Sequence, residues 1–82
     1  MADEWTRARD ALVREVAALG FPEALGEAAA RHLGSPKAME RMRKYLIYAR
    51  PARAEDVVDE MLAIREEIDA WRARKESRSA WN

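Results

Sequence analysis

Apolar residues recur at spacings of three and four along most of the chain, and polar residues fill the positions between them. This is the pattern of amphipathic helices that bury one face. The first such stripe consists of Trp5, Ala8, Leu12, Val16 and Leu19. Asp3 stands where an N-cap is needed, and Gly20 supplies the left-handed residue that commonly closes a helix. The pattern therefore predicts helix 1 over residues 4–19.

Two shorter stripes follow, and each is bounded by glycine or proline. The second stripe consists of Leu25, Ala28, Ala29, His32 and Leu33, and the third of Met39, Met42, Tyr45, Leu46 and Ala49. Gly34 can end the helix that carries the second stripe. Ser35 can then cap a new helix, and Pro36 suits the first position of that helix. We therefore expect helix 2 over residues 22–33 and helix 3 over residues 36–49.

The fourth stripe is the longest. It consists of Val57, Met61, Ile64, Ile68 and Trp71, and Val58 and Leu62 widen it over the first turns. Acidic residues crowd its start, where they complement the positive end of the helix dipole. The stripe predicts helix 4 over residues 54–75, followed by a frayed tail over residues 76–82.

Helix 4 would be about 33 Å long, whereas helices 2 and 3 would each reach only about 20 Å. Another element must therefore cover its far half. We expect helix 1 to lie antiparallel to helix 4, with Trp5 near Trp71, in a monomer. The alternative is a homodimer in which two helix 4 stripes pack together, as their four-three spacing allows.

These elements predict an all-α fold, a small four-helix domain that spans residues 1–82 and has a longer C-terminal helix. Its length suits one domain with one modest core. The residues expected in that core are Leu12, Val16, Leu19, Leu25, Leu33, Met42, Leu46, Val58, Met61 and Leu62.

The composition of the chain indicates the cellular compartment in which the protein works. The chain has no cysteine, which favours a reducing compartment, and no apolar run of membrane-spanning length. The acidic start, MADEW, differs from a secretory signal. We therefore expect a cytoplasmic protein that does not enter a membrane.

The net charge is zero, but the charge is unevenly distributed. Residues 1–34 carry −2, residues 35–53 carry +5 and residues 54–82 carry −3. The basic side chains Lys37, Arg41 and Lys44 share one face of helix 3, so phosphate contact is physically possible. A helix-turn-helix match is poor, because Glu40 occupies a position that should be apolar. A weak nucleic-acid binder is therefore the alternative function, and a solvated basic face is the simpler interpretation.

Catalytic chemistry has little support in the sequence. His32 is the only histidine, and its place on the inner side of helix 2 indicates a structural role. The acidic pairs Glu55/Asp56 and Asp59/Glu60 lie where the helix dipole already favours acids, although a carboxylate-metal enzyme is a third function class to test. We expect no enzyme activity, no metal and no cofactor.

The turn Leu19-Gly20-Phe21-Pro22, with three short helices around it, resembles the ubiquitin-associated (UBA) domain over about residues 5–49. Ala38, Met42, Tyr45 and Leu46 would take the places of residues in the third helix of that family. The resemblance implies that the turn and the end of helix 3 form an apolar surface for partners, made of Leu19, Phe21 and Leu46. Trp71, from the fourth stripe, is also assigned to the candidate partner surface.

The whole chain is also similar to a family of small bacterial proteins. The matching segments are Leu19 to Glu23, Leu33 to Ser35, Met39 to Met42, Ala49 to Pro51, Asp59 to Ile64, and Trp71. This resemblance implies the fold and a bacterial cytoplasmic source, but it implies no activity. Our prediction from the sequence is a non-catalytic protein-protein interaction module whose partner protein is unknown.

Overall fold

The computed structural model describes the backbone of residues 3–80 and the side chains of residues 3–76. The described residues form four α-helices and no strands. These are α1 (Glu4–Ala18), α2 (Glu23–Leu33), α3 (Pro36–Ala49) and α4 (Ala54–Ala80). The predicted fold class is therefore confirmed: the chain forms a small all-α domain with a longer C-terminal helix.

Local chemistry sets the helix ends much as the sequence predicted. The side chain of Asp3 accepts a hydrogen bond of 2.7 Å from the Thr6 N–H at the start of α1. The Ser35 hydroxyl accepts one of 3.2 Å from the Ala38 N–H at the start of α3. Gly20 and Gly34 follow α1 and α2 with φ of 92° and 76°, a left-handed conformation that costs glycine little.

The helices pack in an order that differs from the expected one. α1 contacts α2 and α3, and α4 contacts the same two helices. Within the described residues, no Cα of α1 comes within 8 Å of a Cα of α4. The predicted pairing of helix 1 with helix 4 is therefore wrong. Trp5 instead donates from its indole Nε1 to the Gly34 carbonyl at 3.2 Å, and Trp71 remains 54% exposed.

The core forms where α2 and α3 pack against α1 and against α4. Among the described residues, its buried apolar members are Leu12, Val16, Ala29, Ala30, Leu33, Ala38, Met39, Met42, Leu46, Val57 and Ile64. Five of the predicted core residues are among them, whereas Leu19, Leu25, Val58 and Met61 are only partly buried. Leu62 is 44% exposed, so its placement in the core was wrong.

The buried face of α2 is rotated relative to the predicted face. It consists of Gly26, Ala29, Ala30 and Leu33, at a spacing of three, one and three. Ala28 and His32 are exposed, so the prediction of an inner-facing His32 was wrong. The physical reason lies at Gly26, where α1 and α2 approach too closely for a side chain.

The fourth helix continues beyond its predicted end. It runs to Ala80, five residues past the expected boundary, and residues 81–82 lie outside the described part of the chain. The fraying expected over residues 76–82 stays a prediction. In the part of the chain that the structure describes, no helix combines the length and apolar character needed to cross a membrane.

Candidate partner-binding groove

A groove of about 620 Å³ lies between the first turns of α3 and the second half of α4, and we call it the α3–α4 groove. Its α3 side includes Lys37, Ala38 and Arg41. Its α4 side includes Glu67, Ile68, Trp71, Arg72 and Arg74. The groove therefore combines apolar surface with several cationic side chains.

Helix length explains why the groove is where it is. α4 has 27 residues and α3 has 14, which correspond to about 40 Å and 21 Å. Ser35, just before α3, and Ile68 of α4 line the same groove, so the later residues of α4 extend past the start of α3. Trp71 therefore borders the groove and remains exposed instead of being packed in the core.

The turn between α2 and α3 is held from both sides, and this fixes the start of α3 beside α4. From α1, the indole of Trp5 donates to the Gly34 carbonyl at 3.2 Å. From α4, the Arg65 guanidinium donates to the Leu33 carbonyl at 3.3 Å. These bonds also satisfy carbonyls at the C-terminus of α2, where helix carbonyls lack intrahelical partners. The groove is thus built on anchored helices.

The groove wall is predominantly positive. Lys37, Arg41, Arg72 and Arg74 are basic, and Glu67 is the one acidic side chain in its described lining. Arg41 donates from Nη2 to the Glu67 carboxylate, so these two side chains form an ion pair across the groove. Both are about half exposed, which means that water weakens this pair considerably.

The charge of α4 reverses sign along its length, and the reversal falls at the groove. Residues 54–69 carry seven acidic side chains and one basic one, whereas residues 70–76 carry three basic and one acidic. Division of the sequence at its turns gave residues 54–82 a single summed charge of −3, which hides this reversal. The contributions of Arg72 and Arg74 to a basic surface were therefore missed, although the sequence contains the reversal.

Trp71 is the largest apolar side chain in the described lining of the groove. The Lys75 ammonium lies 5.0 Å from the centroid of the Trp71 ring, within the range of a cation–π interaction. One face of the indole thus carries a cation. The remaining exposed surface can receive an apolar side chain.

The candidate surface implied by the UBA resemblance is buried or half-buried. Leu46 is 1% exposed and packs in the core, so it cannot contribute to a partner surface in this fold. Leu19 and Phe21 are half-buried against the same core. Trp71 is the member of the predicted partner surface that stands in the groove.

Two of the three predicted phosphate contacts line the groove. These are Lys37 and Arg41, whereas Lys44 is exposed further along α3, outside the described groove lining. Arg43, also on α3, donates to Glu40 at 2.7 and 2.9 Å, and this hydrogen bonding holds the pKa of Glu40 below its usual value. Of the basic side chains of α3, Lys37 and Arg41 thus line the groove, Arg43 pairs with Glu40, and Lys44 lies outside the described groove lining.

Among the described residues, no group of three or more His, Cys, Asp or Glu side chains is arranged to hold a metal ion. Comparisons with protein-family models, with curated proteins and with solved structures found no match.

Proposed function

We propose that the protein is a non-catalytic interaction module that binds a partner protein in the α3–α4 groove. The observation that carries this proposal is the exposure of Trp71 beside Ile68, in a groove next to a turn that Trp5 and Arg65 hold by hydrogen bonds. Large aromatic side chains dominate the binding energy of many protein interfaces. A concave apolar surface with a charged rim also matches the usual anatomy of such interfaces.

Weak nucleic-acid binding is the second candidate function. Lys37 and Arg41 approach Arg72 and Arg74 around one groove, which increases the local positive potential. Two features favour a protein instead. Glu67 already neutralises part of Arg41, and Lys75 covers one face of Trp71 on which a base could otherwise stack.

The proposal includes a monomeric protein in the bacterial cytoplasm. The sequence resemblance and the lack of cysteine support this setting. The monomer is favoured because the first part of the helix 4 stripe packs inside its own domain, through Val57 and Ile64.

A retention experiment with matched variants tests the proposed function. The full chain, Trp71→Ala and Tyr48→Ala are immobilised and exposed to extract from a native host. Tyr48 is 85% exposed and lies outside the described groove lining, so its variant controls for loss of an exposed aromatic side chain. We expect one protein to be retained by the full chain and by Tyr48→Ala and to be lost with Trp71→Ala.

Two results would contradict this function. Equal retention by all three proteins would show that Trp71 is not the contact. Retention of nucleic acid that disappears steeply as salt is raised would favour the second candidate, because phosphate binding releases counterions. Circular dichroism of each variant excludes loss of folding as the cause.

A further inference from the structure

The chemistry of the α3–α4 groove indicates the kind of partner that it accepts. Its described lining carries Lys37, Arg41, Arg72 and Arg74 against the single acid Glu67, an excess of three positive charges. The whole chain is neutral, so this excess is local. Charge complementarity across an interface favours an oppositely charged partner and penalises a like-charged one.

The structure also shows which anion the groove already accommodates. Arg41 donates to the Glu67 carboxylate, which comes from the opposite wall. A guanidinium presents several N–H donors in a planar fork that suits carboxylates. Glu67 therefore occupies a position at Arg41 that a carboxylate of a partner can also take.

The apolar part of the groove sets a second requirement. Ile68 and Trp71 lie among the basic side chains, so a partner that supplied only charge would leave apolar surface exposed to water. A segment that places a large apolar side chain beside its acids covers both kinds of surface. A phosphate backbone would meet the charge but not the apolar surface.

We propose that the groove binds an acidic peptide segment of a partner protein, with a large apolar side chain against Trp71 and a carboxylate that displaces Glu67 from Arg41. This inference rests on the proposed function and deepens it, because it names the chemistry of the partner. Glu67 then acts as an internal competitor that weakens binding. Its removal should strengthen the interaction, the reverse of the usual effect of deleting a groove side chain.

Glu67→Gln and Glu66→Gln form a matched pair of test variants. Both remove one negative charge from adjacent exposed positions of α4, but Glu67 lines the groove and pairs with Arg41. The probe is a short labelled peptide with glutamates on both sides of a leucine pair. One control peptide has glutamine in place of glutamate, and another has alanine in place of leucine. Affinity is measured by fluorescence anisotropy with the full chain.

We expect the acidic leucine peptide to bind more tightly than either control peptide. Glu67→Gln should tighten its binding by about twofold to fivefold, the range of one exposed ion pair. Glu66→Gln should change it much less, and Arg74→Gln should weaken it. The effect of Glu67→Gln should shrink at high salt, since exposed charges are screened.

Several outcomes would overturn this inference. They are the absence of binding by the acidic peptide, equal binding of the glutamate and glutamine peptides, and equal effects of Glu67→Gln and Glu66→Gln. Tighter binding of a single-stranded oligonucleotide than of the acidic peptide would show that the groove prefers phosphates. If a host protein is nevertheless retained through Trp71, the proposed function stands and only the acidic chemistry of its partner is wrong.

Discussion

A Cβ atom added to Gly26 of α2 would lie 2.8 Å from the Cα of Val13 on α1, closer than real side chains approach a backbone. The two helices therefore meet at the one position of α2 where a hydrogen replaces a side chain. This approach sets the rotation of α2 and turns Ala29, Ala30 and Leu33 toward the core. A small residue thus determines which face of the helix is buried.

Gly26→Ala should destabilise the protein by about 1–3 kcal/mol, because the added methyl group overpacks the crossing of α1 and α2. In an exposed helix the same change would be stabilising, by about 0.5–1 kcal/mol. A loss of stability in Gly26→Ala would therefore indicate that α1 and α2 approach closely at this position. Urea unfolding measures it, and Glu27→Ala, at an exposed neighbouring position, is the control that should have little effect. A more stable Gly26→Ala protein would show that the helices can separate.

Ile64 and Leu62 provide a test of the rotation of α4. Ile64 is 1% exposed and Leu62 is 44% exposed on the same helix. Ile64→Ala should cost about 2–5 kcal/mol, as expected for a buried large-to-small change. Leu62→Ala should cost clearly less, about 1 kcal/mol, because nearly half of its surface stays in contact with water in the folded protein. Equal losses in thermal or urea unfolding would contradict this orientation of the helix.

The helices and their approximate ends could be predicted because their causes are local. Ser35 and Pro36 mark the start of α3, and the structure begins α3 there. The face of α2 was chosen incorrectly, because the adjacent Ala28, Ala29 and Ala30 point to neighbouring sides of the helix and packing buries only Ala29 and Ala30. His32 was placed inside for this reason. The decisive contact, between Gly26 and Val13, joins two consecutive helices and leaves no periodic pattern in the sequence.

Individual residues of the candidate site could be predicted from the sequence, but their arrangement in one groove could not. Lys37, Arg41 and Trp71 were singled out from the sequence, but on separate surfaces. Their union in one groove depends on how far α4 extends past the start of α3, which follows from tertiary packing. Length alone suggested that helix 1 should cover this end of α4. The hydrogen bond from Trp5 to Gly34 instead joins α1 to the turn before α3.

Asp3 gives the stability a predictable dependence on pH. The hydrogen bond from the Thr6 backbone N–H, and a second from the Thr6 side chain, hold the pKa of Asp3 below its usual value. The folded state therefore favours the carboxylate. The stabilisation is fully present above the ordinary aspartate pKa of about 4 and is lost as the pH falls through the lowered pKa of the folded state.

Asp3→Asn isolates this dependence, because asparagine is also a good N-cap but does not titrate. The stability advantage of the native chain over Asp3→Asn should therefore shrink as the solution is acidified. Asp3→Ala should lose the cap at every pH. Urea unfolding of the three proteins at several pH values makes the comparison. A constant difference between native chain and Asp3→Asn would show that the Asp3 carboxylate does not favour folding.

We expect Trp71 to bind another protein. We do not expect it to stabilise the fold or to hold two copies of the chain together. Val57 and Ile64 of the same stripe are buried inside the domain, so Trp71 and the half-buried Ile68 offer little apolar surface to a second copy. A stable interface commonly buries about 1,200–2,000 Å² in total. We therefore expect a monomer over a wide concentration range in analytical ultracentrifugation.

Trp71→Ala should leave both the monomeric state and the thermal midpoint of unfolding nearly unchanged while it abolishes retention of the partner. A concentration-dependent dimer that Trp71→Ala dissociates would instead assign the exposed indole to self-association.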